Sequence, residues 1–299
     1  MQPDLSSGRA TEAKRGALKF TLPPGSCDSQ FHVFGSHPAE RADPNAPSRP
    51  GHAPIHEILA AHRRVGIDNA VLVQNTFVSM DYGPFVKDLV DHPHLRGVAL
   101  VTDATTDKEL RWLHEAGVRG TRFHFVRFLN RPCSIELVER TAHRIAELGW
   151  HLKVHVQPDQ VAELAPYLVR LPVPVVIDHI AHTRIADGID HPAFKALLEL
   201  YRHPNIWVIL ANSDRWSRSG PPSYADAIPF GRALVALGTD RLLWATDWPH
   251  VMYKDPVAPD PSLPRPDPVD LLNLLYEFVR DEAIIAKILV ANPRKLFPF

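Results

Sequence analysis

The chain is poor in cysteine: among 299 residues only Cys27 and Cys133 occur. Two thiols build no disulfide framework, which points away from a stapled secreted scaffold and toward the cytoplasm. Net charge is also missing. Thirty-three Lys and Arg stand against 34 Asp and Glu, leaving −1 at neutral pH. That balance supplies no field to attract nucleic acid or an anionic membrane, so neither is expected as a partner. No apolar run reaches the roughly 18 residues that a membrane helix needs. The first 24 residues mix polar and charged side chains without an apolar centre, so no signal peptide is expected there. No Gly-x-Gly-x-x-Gly turn follows an early strand, which argues against a dinucleotide-binding open sheet.

What remains is a chain of ordinary globular composition, 45% hydrophobic and long enough for a large core. Short runs rich in β-branched and aromatic residues recur along it: "CDSQFHVFG" (27–35), "AVLVQ" (70–74), "RGVALV" (96–101) and "VRGTRFHF" (118–125). "HLKVHV" (151–156), "PVPVVIDH" (172–179), "IWVILAN" (206–212) and "RLLWATD" (241–247) complete a set of eight. Between them lie segments of 3.6-residue periodicity, such as "SIELVERTAHRIAELG" (134–149), closed by Gly149, and "AFKALLELYRH" (193–203). Eight β/α units in about 270 residues predict a single-domain (β/α)8 barrel of the TIM type over residues 25–299. Residues 1–24 read as an N-terminal arm. The proline-rich "KDPVAPDPSLPRPDP" (254–268) reads as a loop after the eighth strand.

A parallel barrel carries its chemistry at the C-terminal ends of its strands. That rule gathers residues that are far apart in sequence. Gln30 and His32 end strand 1 and share a face, as their two-residue spacing requires. Arg122 and His124 do the same on strand 4. His155, His179 and Asp247 end strands 5, 6 and 8, and Arg215 follows strand 7. Any one of these could be a packed or solvated side chain, and Asp247 could merely cap a turn. Their shared rim is what points to a site.

"DSQFHVFG", "RGTRFHF", "VVIDHIAH" and "WATDWPH", in that order and spacing, resemble the amidohydrolase superfamily. The similarity is narrowest to its lactonase branch, the amidohydrolase 2 group typified by 2-pyrone-4,6-dicarboxylate lactonases. The resemblance implies a hydrolase that opens the ester bond of a small carboxylated lactone, as in aromatic or sugar-acid catabolism. Asp247 would activate water, while His32 and His179 polarise the carbonyl. It further implies Arg122, Arg215 and Thr76 as substrate-binding residues, with Arg127, His124 and His155 beside them. A histidine of the family falls on Gln30. A glutamine amide is a poor metal ligand but a good N–H donor, so the expectation is a metal-independent enzyme without cofactor, Gln30 joining the catalytic set. The alternative is a hydrolase or decarboxylase holding one divalent ion, zinc or manganese, through His32, His155, His179 and Asp247. A lactone isomerase, or a barrel that binds carboxylates without turnover, is a further alternative. Homo-oligomerisation is left open by the sequence.

Overall fold

The computed structural model describes residues 16–36, 52–76, 81–127, 133–250 and 266–299. Its strands are β1 (Cys27–Phe31), β2 (Asn69–Val73), β3 (Leu95–Ala99), β4 (Val118–His124), β5 (His151–His155), β6 (Val175–Ile177), β7 (Ile206–Leu210) and β8 (Leu242–Trp244). They pair in chain order and in parallel. The last strand returns to the first: His32 N–H donates to the Trp248 carbonyl (2.8 Å) and Asp247 N–H to that of Gln30 (3.0 Å). This is the (β/α)8 barrel that the alternation predicts.

The helices outside it are α1 (Ile55–Val65), α2 (Tyr82–Asp91), α3 (Asp107–Glu115), α4 (Ile135–Ala146), α5 (Val161–Leu168), α6 (Pro192–Tyr201), α7 (Ser213–Trp216), α8 (Ile228–Leu237) and α9 (Pro268–Val279), with shorter turns to the C-terminus. In α4, Val138, Ala142 and Ile145 form the buried stripe, and the Ser134 hydroxyl caps the first turn by accepting from Leu137 N–H (3.2 Å). Beyond its end Gly149 takes a left-handed φ of 66° that leads the chain into β5.

The two-residue period of the strands divides the core in two. Leu72, Val154, Ile177, Val208 and Leu242 face outward and pack with helix residues such as Ile58, Leu113, Ile145, Leu197 and Leu234. Val71, Val73, Val98, Val176, Ile209 and Leu243 fill the lumen with Leu296 and Phe297. Phe297 meets the edge of His151, the first residue of β5, with ring centroids 4.9 Å apart. The C-terminus thus plugs the N-terminal end of the barrel and leaves the other end for a site.

Residues 16–24 lie along α9. Lys19 N–H donates to Asn273 Oδ1 (2.8 Å), and the Phe20 and Tyr276 rings stack at 6.0 Å. Residues 1–15 of the expected arm, and most of the proline-rich loop, lie outside the described residues. Among the described residues, no helix is long and apolar enough to cross a membrane.

Candidate active site

Asp247 is the hub. It follows β8 with a left-handed φ of 54° and is buried. Its Oδ1 accepts from Gln30 Nε2 (2.8 Å) and lies 3.5 Å from His32 Nε2 and 3.8 Å from His179 Nε2. Its Oδ2 accepts from an Arg215 terminal nitrogen (3.2 Å), which α7 carries to the barrel mouth. Burial alone would push this carboxyl up; His179, the hydrogen bond with His32, and Arg215 outweigh it and hold the group well below the usual carboxylate range. Asp247 is therefore ionised at neutral pH.

Residues 179–182 place the next groups through an unusual backbone. His179, Ile180, Ala181 and His182 have φ of 54°, 50°, 52° and 52°, a left-handed turn without a glycine. Such backbone costs about 1–2 kcal/mol per residue, and strain of this kind gathers at functional sites. The turn brings His179 and His182 beside His155 of β5. Nitrogens of these three rings all lie within 4.8 Å of one another. His155 Nε2 is 2.5 Å from His182 Nε2, and His155 Nδ1 is 2.9 Å from His124 Nδ1 on β4. Burial, then the neighbouring cations and imidazoles, push His155 and His179 well below their ordinary value; burial and then Arg215 push His182 down to about 3. A neutral imidazole is the state in which histidine binds a metal.

Beneath them lies a charged layer. Arg122 Nε is 2.7 Å from Asp178 Oδ2, and its terminal nitrogens reach within 3.5 Å of His32 Nε2 and 3.4 Å of His179 Nε2. Lys153, inward on β5, donates to Gln30 Oε1 and sits 3.5 Å from Asp178 Oδ1. Burial pushes its ammonium down and Asp178 opposes that shift. His32 is oriented by the Val73 carbonyl, 2.7 Å from its Nδ1. Neither thiol is activated: burial raises Cys133 to about 12 and Cys27 further.

The structure thus brings together Gln30, His32, Arg122, His179, Arg215 and Asp247, with His124 and His155 adjoining. Thr76 is buried just beyond β2. Arg127 stands apart, exposed and paired with Asp159 (2.7 Å). The metal set expected from sequence does not form one compact group; among the described residues the compact group is His155, His179 and His182. His182 was missed although it ends the "DHIAH" run. Lys153 and Asp178 were missed too. Lys153 shares the inward parity of His151 and His155, and that alternation was the available signal.

A family model described as amidohydrolase matches residues 27–299. The chain belongs to that amidohydrolase family. This amidohydrolase is 35% identical over 299 residues to a 4-sulfomuconolactone hydrolase of Rhizobium radiobacter, covering 99% of this chain and 97% of that one. It is 34% identical to a 2-pyrone-4,6-dicarboxylate hydrolase of Comamonas testosteroni, covering 93% and 92%. Among solved structures, an apo Agrobacterium tumefaciens protein superposes with a TM-score of 0.79 at 25% identity, covering 95% of this chain and 99% of its own.

Proposed function

We propose that this amidohydrolase hydrolyses the ester bond of a small carboxylated lactone, with Asp247 as general base and without a metal ion. The observation that carries the reading is the ionised, buried Asp247 carboxylate, set among N–H donors at the barrel mouth. The full-length likeness to two lactone hydrolases supports the substrate class. Water attacks the carbonyl carbon and gives its proton to Asp247, which passes it to the departing ring oxygen. Negative charge on the carbonyl oxygen is met by the Arg122 guanidinium, a permanent cation within 3.5 Å of His32 Nε2 and 3.4 Å of His179 Nε2, and by the Gln30 N–H once the entering carbonyl displaces one of its resting acceptors. The His32 Nδ1 proton is committed to the Val73 carbonyl, which fixes the ring's orientation. Arg215 is the group placed to exchange Asp247 for a substrate carboxylate.

One feature supports metal-free chemistry: a glutamine amide, a poor metal ligand, stands where the family has a histidine. The His155, His179 and His182 group favours the second reading, in which those rings would hold one zinc or manganese ion supplying a Lewis acid. A lactone panel followed by proton release, before and after chelation, separates the two. Unchanged turnover in protein that metal analysis shows to be empty is expected; loss restored by zinc or manganese selects the second. Asp247→Asn should lower kcat by about 10²–10⁴ while ligand binding stays measurable. Wild-type-like turnover in that variant rules Asp247 out as base.

A further inference from the structure

Lys153 takes no part in the chemistry above, yet it is wholly enclosed, two residues before His155 on β5. A buried ammonium needs acceptors. It has Asp178 Oδ1 at 3.5 Å, a carboxylate already engaged by Arg122, and Gln30 Oε1 in direct contact. That contact bears on how the Gln30 amide lies. A side-chain amide can exchange its oxygen and nitrogen by rotation, and its neighbours decide which end faces which. One neighbour here is an ammonium, which only donates; the other is the Asp247 carboxylate, which only accepts. A single orientation suits both. The reverse sets N–H against ammonium and C=O against carboxylate.

In the permitted orientation Gln30 Nε2 faces Asp247 Oδ1 at 2.8 Å and His179 Nε2 at 3.1 Å, one proton for each. Arg122 aims a further N–H at the same ring nitrogen from 3.4 Å. A nitrogen approached by two pure donors must present its lone pair. The His179 proton then belongs on Nδ1, a buried atom with no hydrogen-bond partner among the described residues.

We infer that Lys153 is a positioning residue for the His179 tautomer: by holding Gln30 Oε1, while Asp247 takes one amide N–H, it keeps the other N–H on His179 Nε2 and leaves the ring proton on Nδ1. His179 consequently faces Asp247 as an acceptor, and the fixed donors on that side are Gln30 and Arg122. The inference rests on the packing of these side chains and is independent of which substrate is turned over.

The tautomer can be read directly. Full-length protein labelled with ¹⁵N-histidine, observed by two-bond ¹H–¹⁵N correlation at pH 7.5, reports which ring nitrogen holds the proton. His179 is identified by the signals absent from His179→Gln. The wild type should show Nδ1–H alone. Lys153→Met (or Lys153→Leu, should the methionine variant not fold) should raise the Nε2–H fraction above its wild-type level, since Asp247 alone then orients the amide and its N–H is less firmly kept on His179. Lys153→Gln, which can still donate to Oε1, should retain Nδ1–H. Gln30→Met should also raise the Nε2–H fraction, because one of the two donors to that nitrogen is gone and Asp247 Oδ1 at 3.8 Å competes with Arg122 at 3.4 Å for its proton or lone pair. Adding Lys153→Met to Gln30→Met should change nothing more. A wild-type proton on Nε2 overturns the inference. So does an unchanged tautomer in the apolar Lys153 variant, or a general broadening of all histidine signals without a switch at His179.

Discussion

Gln30 shows how one side chain can be recast by its surroundings. As an isolated residue it is a weak ligand and an ordinary strand-end amide. Between Lys153 and Asp247 it becomes a directed donor, its oxygen held from below and its N–H aimed at the rim. If that N–H supports the developing oxyanion, Gln30→Ala should reduce kcat by about 10²–10³. KM should change little, because the interaction grows only in the transition state. Steady-state kinetics on the best lactone of the panel checks this; a purely KM effect would instead place Gln30 in ground-state binding. Arg122 was recast in the other direction. Its sequence position suggests a free carboxylate reader, whereas the structure pairs it with Asp178, a residue not singled out in the sequence. Strand parity predicted where both side chains would point, but parity contains no information about which inward groups touch.

At the scale of elements, β5 carries His151, Lys153 and His155 inward, three polar residues in a strand where an apolar lumen is the rule. The lowest of them illustrates the cost. His151 is fully enclosed beneath Gly120 and against Phe297; a Cβ added at Gly120 would lie 2.3 Å from its ring. Burial, then Lys153, push His151 down to about 3 from an ordinary value of 6.5. Between those two values the unfolded chain binds a proton that the folded chain refuses, so this contribution to stability is complete above about pH 6.5 and shrinks as pH falls. At pH 5 the loss amounts to roughly 2 kcal/mol. Urea unfolding at pH 7 and pH 5 should show it, and His151→Gln should make the pH-dependent loss smaller by about that amount. An identical loss in the variant would show that His151 does not titrate this way. The element count and the amphipathic stripe of α4 were legible because local periodicity dictates them. The left-handed turn at 179–182 was not, since no glycine marks it and only the surrounding packing can hold such backbone in place.

For the molecule as a whole, the decisive contact is where the barrel closes. β8 meets β1 through few backbone bonds, and a buried clasp reinforces the joint. Asp28 Oδ1 accepts from Thr246 N–H (2.9 Å), while its Oδ2 accepts from the Thr246 hydroxyl (2.5 Å) and faces His62 Nε2 of α1 at 3.0 Å. Thr246 directly precedes Asp247, so the clasp also aims the Asp247 carboxylate. Asp28→Ala would strand four buried donors, the Gln30 N–H (3.2 Å) among them, and should cost about 3–5 kcal/mol, read as a lower denaturant midpoint together with lost turnover. A midpoint within about 0.5 kcal/mol of wild type would show that the closure does not depend on it.

The sequence by itself determined the eight-fold β/α alternation, the rim on which the polar residues gather and the family to which they point. All of these depend on local period and chain order. Only the tertiary structure decided that Arg122 faces Asp178, that Arg127 stays at the surface, that His182 completes the imidazole group and that Lys153 underpins Gln30. Such pairings arise when strands distant in sequence are curled into one lumen, where a buried charge must find an opposite charge or an acceptor, and nothing in the local pattern of either partner specifies which it will be.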